Sequence, residues 1–382
     1  MTYLEAGIEV LKLIEMNGYK AFFVGGFVRD YILKGNCNDI DIATSALPNQ
    51  ISNIFKVVNT GIKYNSVTIE YEGYSFETTT YRIETSYFDN RHPNYEVGKV
   101  LSDDLKRRDF TINAMAMNKD LNIIDIFNGQ EDLKNKILRT VNDPQVRFTE
   151  DALRMLRAAY FAAKLGFTIE EKTFIAMRKC GHLVQNLSKD RICWELEKLI
   201  NSPYQDIGVN YLIDANIAPY LLDFKRGIYL YNEKNLKGIS WIEFLALCYY
   251  ENIEDLNEIH IKPQIRNTVK AIVLLAKERK KNNFTVNDLF DYKLEVCLGA
   301  NKINQILFNS KDQRTFLEKE DLNLPIHSLT ELAIKGQDVI ANIEIKDNRQ
   351  INIILDEIKN LVLTKKLDNS KECIVKYIRK HY

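Results

Sequence analysis

The chain has 382 residues, 46% of them hydrophobic and 27% charged. That is too long for one ordinary core and suits a folded protein of two or more domains. Lys+Arg and Asp+Glu both number 52, so a general nucleic-acid coat, which is basic overall, is excluded; a nucleic-acid partner has to be met by local basic patches and by shape.

Taken in chain order, β-prone runs occur at Lys20–Val24, Asp39–Ala43, Ser66–Tyr71 and Tyr74–Arg82, with Glu72-Gly73 as a hairpin turn between the last two. A helix is predicted to start at Gly25-Gly26. The stretch from Glu84 to Gly98, polar and broken by Pro93 and Gly98, reads as a long mobile loop. From about Asp143 helix periodicity takes over, at Glu150–Leu165, Asp190–Ile200, Ile239–Tyr250, Arg266–Lys281 and Gln350–Leu363. An α/β head followed by a helical body is the expectation. No apolar run is long enough to cross a bilayer, and Met1-Thr2-Tyr3-Leu4-Glu5 lacks the form of a signal peptide. Six scattered cysteines, Cys37, Cys180, Cys193, Cys248, Cys297 and Cys373, form no CxxC pair. They point to buried thiols in a reducing compartment, hence to the cytoplasm.

Chemistry concentrates in four places. In Asn38-Asp39-Ile40-Asp41-Ile42 two carboxylates stand at i and i+2, which on a strand puts both on one face and the isoleucines on the other. Like charges so placed favour a bound cation, and hard oxygen donors suit Mg²⁺. Upstream, Val24-Gly25-Gly26-Phe27-Val28-Arg29-Asp30 takes a strand through a glycine turn into a helix. There, backbone N–H groups approach phosphate oxygens and Arg29 adds a charged contact.

The combination of GGFVRD, nine positions from Asp30 to Asp39, and DID resembles the polymerase-β-like nucleotidyltransferases. It is most similar to the class II tRNA nucleotidyltransferases, the CCA-adding enzymes, and to their bacterial poly(A) polymerase relatives. The likeness is strongest from Gly18 to Gly166. The resemblance implies an α+β fold: a polymerase-β-like head (a mixed sheet with helices) over residues 1–140, then an all-α neck (141–205), body (206–325) and tail (326–382). Glu77, in Ser75–Thr80, resembles the superfamily's third carboxylate, a metal ligand or a base for the attacking hydroxyl. Arg107–Ala114 (RRDFTINA) resembles the second motif; by position Arg108 contacts the nucleotide, and Asp109 orients an arginine or accepts from a ribose hydroxyl. Asp125–Gly129 resembles the head–neck connector.

Glu150–Arg157 resembles the EDxxR motif. At about 100° per residue Asp151, Arg154 and Arg157 share one side of a helix, and Leu153, Leu156, Tyr160 and Ala163 are expected to pack inward on the other. Cytosine and adenine both present an amine beside a ring acceptor nitrogen. Asp151 accepts from the first and Arg154 donates to the second, while uracil and guanine turn a carbonyl toward the carboxylate. Family members often carry arginine where this chain has Tyr160, which stacks or donates one hydrogen bond but brings no charge.

Leu187–Ile192 with Trp194–Leu199 resembles the last neck motif, and Glu331–Ile340 the family tail. These parts imply a grip on the acceptor arm of tRNA. Basic stretches at Lys277–Lys281, Lys365–Lys366 and Lys376–Lys380 are candidates for its backbone. The implied reaction is attack of the RNA 3′-hydroxyl on the α-phosphate of CTP or ATP, with Asp39 and Asp41 holding Mg²⁺. The nucleotide set is Gly26, Arg29, Arg108, Asp109, Asp151, Arg154, Arg157 and Tyr160. Partners are tRNA, ATP and CTP, with no membrane and a homodimer as the candidate assembly. CC addition alone, poly(A) synthesis and a catalytically dead RNA-binding module are the competing readings. The loop at Glu84–Gly98, the neutral charge and the intact acids speak against them in turn.

Overall fold

Four residues, Ala21–Val24 (β1), buried apart from half-exposed Phe22, seed the sheet of the N-terminal part. The computed structural model describes residues 1–35, 39–61, 65–87, 93–344 and 347–382. The chain falls into two units, Met1–Ile239 and Ser240–Tyr382.

In the first unit β1 pairs antiparallel with β2 (Asp41–Thr44). The other strands are β3 (Lys56–Gly61), β4 (Ser66–Tyr71), β5 (Tyr74–Thr80), β6 (Arg82–Tyr87), β7 (Pro93–Val97), β8 (Met115–Met117) and β9 (Ile123–Asp125). Among the described residues seven of these form one sheet in the order β3-β4-β5-β2-β1-β8-β9. It is mixed, because β2 and β5 run parallel while the other pairs are antiparallel. The β4–β5 turn falls where Glu72-Gly73 puts it, with φ of 49° and 79°. Helix α1 (Tyr3–Met16) buries Ala6, Val10, Leu11 and Ile14 as one stripe and starts in a Thr2/Glu5 capping box. Around the sheet follow α2 (Gly26–Ile32), α3 (Pro48–Ser52), α4 (Leu101–Lys106) and α5 (Gly129–Asn135).

The predicted loop at 84–98 is corrected: Arg82–Tyr87 and Pro93–Val97 pair antiparallel as a separate two-stranded hairpin, and only residues 88–92 of it lie outside the described ones. Thr, Tyr and Val in both arms are strand formers. Pro93 opens its strand, where proline is tolerated. The predicted strand Asp39–Ala43 starts only at Asp41; Asn38 and Cys37 lie outside the described residues.

The rest of the first unit is helical: α6 (Pro144–Glu150), α7 (Leu153–Leu165), α8 (Glu171–Cys180), α9 (Lys189–Ile200), α10 (Gln205–Asp214) and α11 (Lys225–Lys234). The expected helix Glu150–Leu165 is two helices, because Asp151 is extended (φ −146°, ψ 105°) and its carboxylate accepts from Leu153 N at 3.0 Å. A short polar side chain that bonds its own backbone competes with helix continuation. The expected all-α neck also carries one strand, β11 (Thr168–Ile169), parallel to β10 (Ile137–Leu138).

The second unit holds α12 (Trp241–Cys248), α13 (Pro263–Glu278), α14 (Val286–Phe308, kinked at Lys293), α15 (Arg314–Leu322), α16 (Gly336–Ile340), α17 (Asn348–Leu363) and α18 (Lys371–His381). Ile354, Ile358 and Val362 of α17 meet Ile374 and Ile378 of α18 over Ile326, all 1% exposed or less. No helix among the described residues is long and apolar enough to cross a membrane.

Candidate active site

Sheet register brings the first elements together. Asp41 opens β2 opposite Val24, the last residue of β1, and beside Glu77 of β5. The acids therefore stand next to the glycine turn that follows Val24. Ile40 and Ile42 are buried at 2% and 1%, so the alternation read from the sequence holds, with Asp39 just outside the strand. Both Asp39 and Asp41 line a cleft of about 900 Å³. Burial, then Glu77, push the Asp41 carboxyl up to about 6, with Arg108 opposing and Asp39 adding to the rise. A cation at this spot would relieve the repulsion, and carboxylate oxygens are the donors a hard divalent ion takes. Glu77 is exposed, 3.4 Å from Ser66 Oγ, and does not line the cleft. It lines instead a smaller hollow of about 190 Å³ that shares Asp41, Arg107 and Arg108 with the cleft. No group of three metal-binding side chains is formed among the described residues.

The glycine turn has a use that the sequence alone does not reveal. Gly25 has φ of 72°, and a Cβ there would stand 2.8 Å from Arg108 Nη1 and 3.6 Å from Asp41 Oδ2. Gly25 thus admits the arginine tip to the acids, while Gly26 lines the cleft. Arg29, only 3% exposed, is held by Asp30 through Nε and Nη2 at 2.8 and 2.9 Å and by Asn113 Oδ1 at 2.6 Å. It reaches the cleft wall but is ordered before any ligand arrives.

Arg107 and Arg108 follow α4 and share one buried acid. Asp104 Oδ1 receives Arg107 Nε and Nη2 at 2.9 and 2.6 Å; Oδ2 receives Arg108 Nη2 at 2.9 Å. Burial raises the Asp104 carboxyl, yet the two guanidiniums outweigh it and hold it below the usual range. Asp109 Oδ2 receives Arg157 Nε at 2.7 Å, while Oδ1 takes Phe110 N and Asn113 Nδ2. Burial pushes Asp109 up, and Arg157 with these donors brings it below the usual range.

Asp151, Arg154 and Arg157 all line the cleft, though from a joint and a helix and not from one helix. Asp151 is met by Arg191 of α9, whose Nη2 lies 3.0 Å from each carboxylate oxygen. Arg154, 7% exposed, donates to Glu150 Oε2 at 2.8 Å and to the carbonyls of Arg147 and Arg107 at 3.2 Å. Leu156 and Ala163 pack inward as expected. Leu153 and Tyr160 do not; they face the cleft. Residues 153, 157, 160 and 164, one helical turn apart in succession, form a stripe along α7 that lines the cleft. Tyr160 packs on Phe161 with ring centroids 4.9 Å apart. Burial raises its phenol, Arg29 opposing.

Sequence reasoning missed Asp104, Asn113, Lys164, Arg191 and Lys198. Asn113, Arg191 and Lys198 lie inside motifs that the sequence singles out, and Lys164 follows Tyr160 by one turn; the arginine partners of Asp104 are set by folding alone.

The family model described as Poly A polymerase head domain matches residues 21–139. The one described for the RNA- and SrmB-binding site of polymerase A matches 166–224, and that of tRNA nucleotidyltransferase domain 2 matches 240–378. The chain is 34% identical over 378 residues to a CCA-adding enzyme of Bacillus cytotoxicus, covering 96% of this chain and 95% of that one. It is 36% identical over 384 residues to one of Oceanobacillus iheyensis, with 97% and 95% covered. The crystal structure of the Bacillus stearothermophilus CCA-adding enzyme in complex with CTP superposes with a TM-score of 0.84 at 29% identity, over 100% of this chain and 98% of that one.

Proposed function

This chain belongs to the CCA-adding enzymes, and from that premise we propose how its own residues divide the work. It adds C, C and A to the 3′ end of tRNA, with CTP and ATP as substrates. The observation that carries the assignment of residues is the convergence, on one cleft, of four segments far apart in the chain: Gly25–Arg29, Asp39–Asp41, Arg107–Asn113 and Asp151–Arg157.

Asp39 and Asp41 are the residues to hold the divalent cation that this chemistry calls for, and Mg²⁺ is the ion we assign. When bound it offsets charge on the reacting phosphate and lowers the pKa of the attacking hydroxyl. Gly26 and Arg108, beside the acids, face the reacting α-phosphate, and Arg29 and Arg157 the phosphates beyond it. Asp109 acts through Arg157. Asp151 accepts from the amine of cytosine or adenine, and Arg154 donates to the ring nitrogen; Arg154 is pre-positioned by three acceptors, so little ordering is left to binding. Tyr160 offers its ring to the cleft. Glu77, on the far side of Asp41, is the group assigned to the proton of the RNA 3′-hydroxyl, and the hollow it lines suits the terminal ribose. The RNA oxygen attacks in line and pyrophosphate leaves.

Residues 1–140 serve as head, 141–205 as neck, 206–325 as body and 326–382 as tail, with body and tail holding tRNA. A cytoplasmic location fits the free cysteines at 180, 193, 248, 297 and 373.

The test is incubation of the pure protein with Mg²⁺, labelled tRNA lacking its 3′ end, and each nucleotide in turn. CTP alone gives two additions, ATP with CTP one more, and then the product stops growing. Asp41→Ala lowers kcat by a factor on the order of 1,000 or more, as loss of charge stabilisation does in such sites. A long ladder of A, or an Asp41→Ala variant of undiminished rate, would refute the assignment.

A further inference from the structure

Two lysines of the cleft have no part in that division. Lys164 of α7 and Lys198 of α9 both line it. They come from different helices and close on the Tyr160–Phe161 pair. Lys198 Nζ lies 5.8 Å from the centre of the Tyr160 ring, and the guanidinium carbons of Arg29 and Arg157 lie 5.2 and 5.3 Å from that of Phe161. Each lysine shares a carboxylate with one of these arginines. Asp30 Oδ2 receives Arg29 Nη2 at 2.9 Å and stands 3.7 Å from Lys164 Nζ. Glu195 Oε1 receives Lys198 Nζ at 2.9 Å and stands 4.0 Å from Arg157 Nη1. Asp30 thus answers two cations, while Asp109 and Glu195 together answer Arg157 and Lys198, so four cations face three acids on this wall. Burial, then Arg29, push the Lys164 ammonium below its ordinary value, with Asp30 opposing. An anion on this wall would meet a charge that its own acids only partly balance.

We propose that Lys164 and Lys198 bind the terminal phosphates of the incoming nucleoside triphosphate and hold the departing pyrophosphate. The inference rests on the reading of the cleft as the nucleotide site. There the acids claim the reacting phosphate, and Asp151 with Arg154 claims the base. The β- and γ-phosphates, the part of the substrate with the most charge, fall to the wall of Arg29 and Arg157, and each lysine stands beside an acid that one of those arginines also meets. When O3′ of the RNA bonds to the α-phosphorus, the α–β bridging oxygen departs with the electron pair on the pyrophosphate, and two mobile ammonium groups offset the new charge. Lysine suits a group that moves away, because it acts as a point charge without the fixed fork of arginine.

Binding of CTP, CMP and inorganic pyrophosphate to the full-length protein separates the possibilities, measured by calorimetry for wild type, Lys164→Gln, Lys198→Gln, the double variant and the two arginine variants. Each glutamine is expected to weaken CTP and pyrophosphate about tenfold, the scale of one charge-assisted hydrogen bond. CMP affinity and the KM for tRNA stay the same, and arginine restores most of the loss. Unchanged preference for CTP over CMP in the double variant overturns the proposal. So does an equal loss for CTP and CMP, or a raised KM for tRNA with CTP binding intact, which would put the lysines on the RNA backbone. A wild-type protein that fails to add CCA or does not prefer CTP to CMP contradicts the underlying reading instead.

Discussion

Arg191 holds Asp151 with one nitrogen, 3.0 Å from both carboxylate oxygens. Both side chains keep only 15% and 21% of their surface exposed, so the pair is worth more than a solvated one. Its consequence is chemical: the guanidinium fixes the orientation in which the carboxylate presents acceptor oxygens, and acceptors are what separate an amine from a carbonyl on a base edge. Arg191→Ala removes a charge-assisted contact of roughly 1.5–3 kcal/mol and frees Asp151 to turn. The ratio of kcat/KM for CTP over UTP should then fall about tenfold or more, with Arg191→Lys between. An unchanged ratio in steady-state assays on tRNA would deny Arg191 this positioning role. Arg191 was visible in the sequence as part of a neck motif, but its partner lies 40 residues away, and no local pattern announces such a pair. The same holds for Asp104, an unremarked acid in α4 that takes both arginines of the motif that was noticed.

At the level of elements, β3, β8 and β9 went unmarked, whereas four of the seven sheet strands, β1, β2, β4 and β5, were legible because Val, Ile, Phe and Thr gather there and turn residues separate them. The hairpin at 82–97 was not, since its polar composition resembles a loop and its pairing depends on the partner arm. The joint at Asp151 was hidden for a related reason: the periodicity of Glu150–Leu165 continues through it, and only the side-chain bond to Leu153 N ends α6. The face of α7 that bears the cleft residues depends on what packs behind it. Gly208 of α10 lies there, and a Cβ on it would stand 2.7 Å from Ala159 O and 2.9 Å from Ala163 Cβ. Gly208→Val forces the two helices apart, at a cost of about 1–3 kcal/mol in urea unfolding. It should also raise KM for CTP and ATP together, because the whole stripe of α7 shifts. A variant with native stability and KM would mean that the helix contact yields without moving the stripe.

The whole molecule carries no net charge, so the tRNA backbone has to be met where basic side chains outnumber acids. The basic stretches marked in the sequence differ in this respect once folded. At the end of α13, Arg279 is bound by Asp288 at 2.8 and 2.7 Å, and Lys280 Nζ lies 4.0 Å from the centre of the Phe308 ring; that cluster helps to fasten its own unit. On α18, Lys376 and Lys380 are exposed and border a shallow hollow with Lys371, Glu372 and Arg379, four cations to one acid, while Ile374 and Ile378 anchor the opposite face in the core. A helix held by one face and basic on the other suits contacts with phosphate. Each phosphate neutralised releases counterions, and contributes about 0.7–0.9 to the slope of log K against log salt. Lys376→Gln with Lys380→Gln should therefore weaken tRNA binding at low salt and flatten that slope by roughly one to two, while CTP affinity in the other unit stays as it was. Titrations of tRNA at several salt concentrations measure both quantities. A slope equal to that of the wild type would move the RNA contact elsewhere, with the stretch at Lys365–Lys366 next to be substituted.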